Sequence, residues 1–485
     1  MFNIPLRIIP ITLLLVFVQC VVIAQGTVYT LEQCIQIAFE NNLNVQRGKL
    51  DQKSSEINLV QSRMSRLPDL NLGSSYGSNW GRSIDPTSNL FETRKINSAG
   101  LSGQSNVTLY SGFQISNTIK QSIIELEAGT KDLEKVKNDV ALSVANLYLN
   151  VIFNQELKGN AELQLNSSNE QVDRTHKLVD AGSLPITNLL NLQAQRATDE
   201  VNLVNAENNY DLAVLQLKQA LLIPANDPFE IEVPDIQVES LEPTTYDPNE
   251  IFSQAQGNQP EIKSADLRIR SADIGMKISK SAYMPRLTFS GGFRTNYSGA
   301  ANQPRPYYDG TTIVNTPIGF LESDPNELVL APIEFLNEVS VDPDFTLMEQ
   351  FDENLSRYLS LNLSIPVFNK WRTKSDVQRS IITRQRAELN AAEVRNTLRQ
   401  NIETAFNNFI AASKSYNASE RQVNALEESF RVIENQYNLG GVNFVDYQVA
   451  ANNLYMARSD KLRAKYDYIF KAKVLDFYLG KPLTF

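Results

Sequence analysis

His176 is the only histidine in 485 residues, and it falls inside a long stretch of helical pattern. One imidazole, with no cysteine or carboxylate set at ligand spacing, does not make a metal site. No nucleophile stands in a motif with a base, and no glycine-rich phosphate loop occurs. The chain therefore reads as no enzyme and as needing no cofactor. What could act on ions is a run of carboxylates. Between positions 298 and 353 stand eleven acidic residues, from Asp309 through Asp324, Glu334 and Asp344 to Glu353, against one base, Arg305. A solvated loop is the default for such a segment, and an acidic, ion-binding cap is its sharper form. The apolar stretch 328–336 inside it predicts a short helix.

The elements that must position these residues come in two copies. Leu50, Ser54, Ile57, Ser62, Pro68 and Leu70 recur 217 residues later as Leu267, Ser271, Ile274, Ser279, Pro285 and Leu287. Ser122, Asn138, Asn150, Gly182, Ala206, Tyr210 and Leu217 recur 258 residues later, from Ser380 to Leu475. The shift grows by 41 residues, so the second copy carries an insertion, about 301–341, between two strands where a loop absorbs it. Duplication of this kind points to quasi-symmetric architecture. The chain divides into a first repeat over 25–222, a proline-rich linker over 223–249 and a second repeat over 250–485.

The N-terminus reads as a secretory signal over 1–24. Arg7 precedes an apolar run, and Val22, Ile23 and Ala24 before Gln25 suit a small-residue cleavage site. Removing that segment leaves 44 basic against 55 acidic residues, or −11, which disfavours nucleic acid. Cys20 leaves with the signal, and Cys34 alone cannot form an intrachain disulfide. No later run of 18 apolar residues exists, so any membrane crossing falls to strands.

Two segments alternate as such strands do. Over 286–297 one face carries Leu287, Phe289, Gly291, Phe293, Thr295 and Tyr297, and the other is mostly polar. Over 357–367 the apolar face is Leu359, Leu361, Leu363, Ile365 and Val367. Tyr283, Tyr297, Phe368 and Trp371 flank them as interfacial aromatics. First-copy strands over about 69–77 and 103–110 are blurred by Ser and Gly. Four strands cannot close a barrel, and an open edge in lipid leaves backbone groups unpaired. Three copies would give twelve strands.

From 113 to 181 no proline occurs, enough for roughly 100 Å of helix at 1.5 Å per residue. Leu126, Leu133, Val136, Val140, Val144, Leu147 and Val151 step at intervals that pack long helices side by side. The helices break at Gly182 and at Gly440-Gly441, then return, so each copy ends in a helical hairpin with its tip near 182 or 440. The fold class is mostly α with a small β-barrel contribution, built from a duplicated helix–strand–strand–long helical hairpin.

The duplicated order, the prolines at the helix-to-strand joints (Pro68, Pro285), the glycine tips and the Tyr437-x-x-Gly440 segment before Val445-Asp446-Tyr447 together resemble the TolC-like outer-membrane efflux protein family. The resemblance covers nearly the whole mature chain. It implies a homotrimer in the outer membrane of a Gram-negative bacterium, with a twelve-stranded barrel continued by a twelve-helix periplasmic tube. It further implies a passive exit duct for small molecules or proteins, working with a periplasmic adaptor and an inner-membrane pump or ATPase. By the same resemblance Tyr437 and Asp446 belong to the periplasmic gate, and Gly182, Gly440 and Gly441 mark the tips where an adaptor docks. Val442 and Val449 stand where the family has an arginine and a second acidic residue, so part of the gate is replaced by apolar side chains. The competing reading is a secreted coiled-coil structural protein without a pore.

Overall fold

Four of the described helices begin where the sequence supplies a side-chain cap. Thr30 and Gln33 form a capping box, each side chain bonded to the other's backbone N–H at 3.2 and 3.0 Å, and open α1 (Leu31–Asn41). The chain continues through α2 (Leu43–Met64), α3 (Gln114–Asp180) and α4 (Ile186–Leu221). The second copy gives α5 (Pro248–Asn258), α6 (Pro260–Ser281), the short α7 (Leu347–Glu353), α8 (Arg372–Asn438) and α9 (Phe444–Tyr478). Helices α3 and α8 have 67 residues each, α2 and α6 22 each, and α1 and α5 11 each. This is a computed structural model, and it describes residues 28–84, 90–93, 95–234, 247–299, 306–340 and 346–483. The expected signal segment with Cys20, and positions 235–246 of the linker, lie outside the described residues.

The strands in chain order are β1 (Val28–Tyr29), β2 (Asn71–Asn79), β3 (Arg82–Ile84), β4 (Phe91–Thr93), β5 (Ile96–Ser111), β6 (Glu230–Ile231), β7 (Arg286–Ser298), β8 (Pro306–Leu321), β9 (Asp324–Ser340) and β10 (Ser356–Ser364). Two compact units result, and they do not follow the repeats. One takes the chain up to Leu59, Lys120–Ile274 and everything from Ser380; the other takes Val60–Ile119 and Gly275–Arg379. Each unit draws on both copies, because helices bury their stripes against helices and strands complete their ladders with strands.

The first unit is helical. None of the seven first-copy positions spaced for side-by-side packing is exposed, and Leu133, Val140, Val144 and Val151 are buried. They join Tyr148, Leu217 and Ile469 in one core cluster. The second-copy counterparts Leu398, Ile402 and Phe409 join Ile251, Tyr468 and Leu475 in another, with Phe409 stacked on Tyr468 at 5.3 Å. The linker contributes β6, which pairs in parallel with β1. Tyr148, 1% exposed, sets its hydroxyl on the carbonyl oxygens of Tyr29 and Glu232, at 3.1 and 2.5 Å, and so ties this ribbon to α3. Cys34 is buried nearby, and burial pushes its thiol up to about 12, which leaves it unreactive near neutral pH.

The second unit holds a four-stranded antiparallel sheet in the order β10-β7-β5-β2. Its register puts Leu359 beside Gly291, Leu361 beside Phe289 and Leu363 beside Leu287, so one face is apolar across strands. Strand β10 stops at Ser364, short of the expected 367, because Pro366 has no N–H to give the ladder. The blurred first-copy strand is longer than expected. Gly103 and Gly100 sit where β5 lies under Phe293 and Ser75, so its glycines are fitted to bulky neighbours.

The insertion differs from expectation. Its described residues form a β8–β9 hairpin, not an irregular loop, and residues 328–336 are strand, not helix. Pro332 in the middle of that stretch excludes a helix interior.

The strand-to-helix joints repeat an unusual backbone. Gly112 and Phe113 have φ of 62° and 65°, and their counterparts 258 residues on, Lys370 and Trp371, have 54° and 64°. At Gly112 a methyl group would also fall 2.7 Å from the Ser281 carbonyl oxygen. Gly112→Ala is therefore expected to cost about 2–3 kcal/mol, left-handed strain plus a backbone clash. Thermal unfolding in detergent checks this, and Gly159→Ala, at a site with open space around it, is the control that should not lower stability.

Candidate functional site at the helical tips

Both hairpins turn in the same way. Gly182 and Gly440 have φ of 71° and 77°. The N–H of Gly182 bonds to the Val179 carbonyl at 2.9 Å and that of Ser183 to Leu178 at 2.8 Å. Gly440 bonds to Tyr437 at 3.0 Å and Gly441 to Gln436 at 2.7 Å. Each is a Schellman cap, which satisfies the last carbonyls of a long helix and needs glycine at the left-handed position. Gly441 has no such need: its φ is not positive, and a methyl group there would meet Gln436 only at ordinary contact distance.

The two tips pack together. Val172 and Val179 of α3, Leu189 and Leu192 of α4, and Phe430 and Ile433 of α8 surround Phe444 and Tyr447 of α9. Tyr437 stacks on Tyr447 with ring centroids 4.8 Å apart and lies 6.3 Å from Phe444. Tyr447 is the centre. It is 2% exposed, packs on Phe430 at 5.5 Å, and its hydroxyl accepts a hydrogen bond from Gln171 Nε2. Burial pushes its phenol far up, so it stays neutral and donates only if a partner is present.

The Tyr437 hydroxyl is buried beside Thr175 but makes no hydrogen bond of good geometry. Burial also raises its phenol, with the Arg174 cation a smaller, opposing influence. A buried hydroxyl whose neighbour, Thr175, is poorly aligned for a hydrogen bond does little to stabilise the state that buries it. Tyr437→Phe is therefore expected to leave the packing of the two tips unchanged or firmer, by up to about 1 kcal/mol. Thermal unfolding in detergent checks it: a lowered unfolding temperature would mean that the hydroxyl holds the tips together.

Asp446 lies in the first turn of α9, whose cap is Asn443, with Asn443 Oδ1 accepting the Asp446 N–H at 2.9 Å. Its carboxylate is exposed, while Phe444 and Tyr447 on either side point inward. Val442 is half-buried and Val449 exposed at 53%. His176, the lone imidazole, pairs with Asp180 one turn on, at 2.8 Å on an exposed face. Tyr437, Gly182, Gly440 and Asp446 are thus gathered at one pair of turns. Sequence reasoning missed the weight of Tyr447 and Gln171. The Phe444–Tyr447 pair at spacing three at a helix start was the available signal.

Behind the tips the helices are joined by polar contacts, not by a reaction centre. Asp199, 2% exposed, accepts from Ser168 Oγ and from Gln195 Nε2 at 2.9 Å. Glu156 accepts from the Tyr466 hydroxyl at 2.6 Å and Lys465 Nζ at 3.4 Å. Among the described residues no three His, Cys, Asp or Glu side chains come together to hold a metal, and no helix is long and apolar enough to cross a membrane.

This duplicated arrangement matches a known family model, Outer membrane efflux protein, over residues 34–221 and 251–481. The chain belongs to the outer membrane efflux protein family. Outer membrane protein TolC of Escherichia coli K12 is 23% identical over 458 residues, spanning 93% of this chain and 82% of that one. Pyoverdine export outer membrane protein OpmQ of Pseudomonas aeruginosa is 24% identical over 213 residues, 44% of each chain. The fold is that of the solved CusC channel, with a TM-score of 0.70 at 15% identity over 93% of this chain and 92% of that one. The VceC protein of Vibrio cholerae gives 0.68 at 14% identity over 93% and 96%. As an outer membrane efflux protein the chain is a channel, a transporter without enzymatic activity, with its helical part in the periplasm. A secreted coiled-coil rod without a pore is set aside by this membership. The family relationship also implies a trimeric channel working with efflux partners.

Proposed function

We infer that three copies close a twelve-stranded barrel and form the passive exit duct of a tripartite efflux or type I secretion system. A periplasmic adaptor would dock on the hairpin tips, around Gly182, Gly440 and Gly441, and an inner-membrane pump or ATPase would supply the energy. The observation that carries this is the four-stranded sheet. One face is apolar, and among the described residues β10 and β2 are both unpaired edges that lipid would not tolerate. Because the four strands alternate in direction, β10 of one copy can meet β2 of the next antiparallel, and the pattern closes. One rim, where β7 starts and β5 and β10 end, carries exposed aromatics, among them Tyr283, Phe113, Phe368 and Trp371, with Lys374 Nζ 3.8 Å from the Trp371 ring centre.

Within that duct we assign the constriction to the tips. The gate is the apolar cluster around Tyr437 and Tyr447, and Asp446 supplies three carboxylates around the axis that favour cations. The native mass of the detergent-extracted protein tests the whole reading. Three chains per particle supports it. A stable monomer would leave open edges in lipid and overturn it.

A further inference from the structure

The β8–β9 hairpin has no visible purpose as it stands. Among the described residues it is a two-stranded ribbon that pairs with no other strand. An isolated two-stranded ribbon is marginal in water. This one is also apolar on both faces. By its register Val314, Ile333 and Phe335 share one face, and Ile313, Leu330 and Leu336 the other. All six are exposed, from 37% at Ile333 to 61% at Ile313. Such a surface needs cover. Over 310–337 its charges are Glu322, Asp324, Glu327 and Glu334, with no base.

A complementary surface leaves the sheet at the same end. Strand β2 ends at Asn79, paired with Ile96 of β5, and β7 ends at Ser298, paired with Ser98. The β2–β5 and β7–β10 connections therefore share one rim. The first of these forms the β3–β4 ribbon. It presents Trp80 at 74%, Phe91 at 65%, Leu90 at 64% and Ile84 at 54% exposed. Arg82 lies 4.6 Å from the Phe91 ring centre and Lys95 Nζ 5.5 Å from that of Trp80. Over 79–96 three bases, Arg82, Arg94 and Lys95, face two acids, Asp85 and Glu92.

We propose that the β8–β9 hairpin of each copy packs on the β3–β4 ribbon of the neighbouring copy and straps the trimer together at its outer mouth. This rests on the three-copy barrel of the preceding section. In that barrel the edge strand β10, which follows the hairpin, meets the neighbour's β2, which precedes the neighbour's ribbon. The strap thus continues the seam that closes the barrel. The chain's own β3–β4 ribbon is as near along the rim, yet the six apolar side chains named above stay exposed, so among the described residues its own ribbon does not cover them. Apolar faces meet aromatic ones, and the hairpin carboxylates meet arginine and lysine. Each contact between copies is then apolar with a charged rim, as stable interfaces are.

The test uses the full chain. A benzophenone amino acid placed at Ile313 is photolysed in the detergent-extracted wild-type assembly, and the cross-linked peptides are identified by mass. Dimer-mass products joining the hairpin to residues 79–96 support the strap. Monomer-mass products to the chain's own 79–96, hairpin-to-hairpin products, or labelling of lipid alone overturn it. Replacing 306–340 by a short turn gives a second readout: the temperature at which the trimer dissociates should fall by roughly 5–10 °C. No fall overturns the strap. Native mass is measured alongside on the unaltered protein. If that is not a trimer, the three-copy reading has failed; if it is a trimer without the strap signals, only the strap has.

Discussion

Tyr447→Ala should open the channel. The substitution removes a fully enclosed phenol from the point where all four tip segments meet, and leaves a cavity between Phe430 and Tyr437. Large-to-small changes at such sites cost about 3–5 kcal/mol. Here the loss falls on the packing of the two turns against each other, since the distant cores around Tyr148 and Phe409 share no residue with this cluster. The tips should therefore separate while the rest of the chain stays folded. In planar bilayers the expected result is a conductance several-fold above wild type, with an unchanged circular dichroism spectrum. Tyr447→Phe keeps the ring and loses only the bond from Gln171, so its effect should be about 1 kcal/mol and its conductance close to wild type. Equal conductance in Tyr447→Ala and wild type would show that this cluster does not set the constriction.

Asp446→Ala should abolish much of the cation preference. The side chain is exposed in the first turn of α9. Three such carboxylates around one axis would add in the field at the pore centre, where screening by bulk solvent is weakest. Reversal potentials in a potassium chloride gradient should move several-fold in permeability ratio towards neutrality. Asp446→Asn should do the same with the cap from Asn443 intact, which separates charge from helix capping. An unmoved reversal potential in both variants would take Asp446 out of the pore.

How much of this was visible in the chain beforehand depends on the range of the interaction. The tips were legible because a left-handed helix end needs glycine, and Gly182 and Gly440 mark it whatever surrounds them. Gly441 was read with Gly440 but carries none of that requirement. The second-copy strands showed through alternation at Leu287, Phe289, Leu361 and Leu363. Strand β5 was blurred, because Gly103 exists to receive Phe293, a residue 190 positions away whose placement only the register reveals. The insertion was read by its acidity, which speaks of solvent, while the strand pattern of Ile313, Val314 and Ile333 with Pro332 excluding helix spoke of a ribbon. Pairings such as Gln121 Nε2 to Ser271 Oγ at 3.2 Å, or Asp132 to Ser264 and Arg268, depend on helix register across long loops and leave no local mark.

The equal 67-residue lengths of α3 and α8 make the pair a ruler. Each helix carries its turn to the same cluster, so neither can change length alone. Four residues added to α3 would carry Val172 and Val179 about 6 Å along the axis and rotate them, and the contacts with Phe430 and Tyr447 would be lost. Only a matched change in both long helices and in the returning α4 and α9 keeps the turns level, and seven residues at a time keeps the packing stripe in phase. Length in these helices is therefore quantised, in steps of seven residues or about 10 Å of helix taken by both halves together.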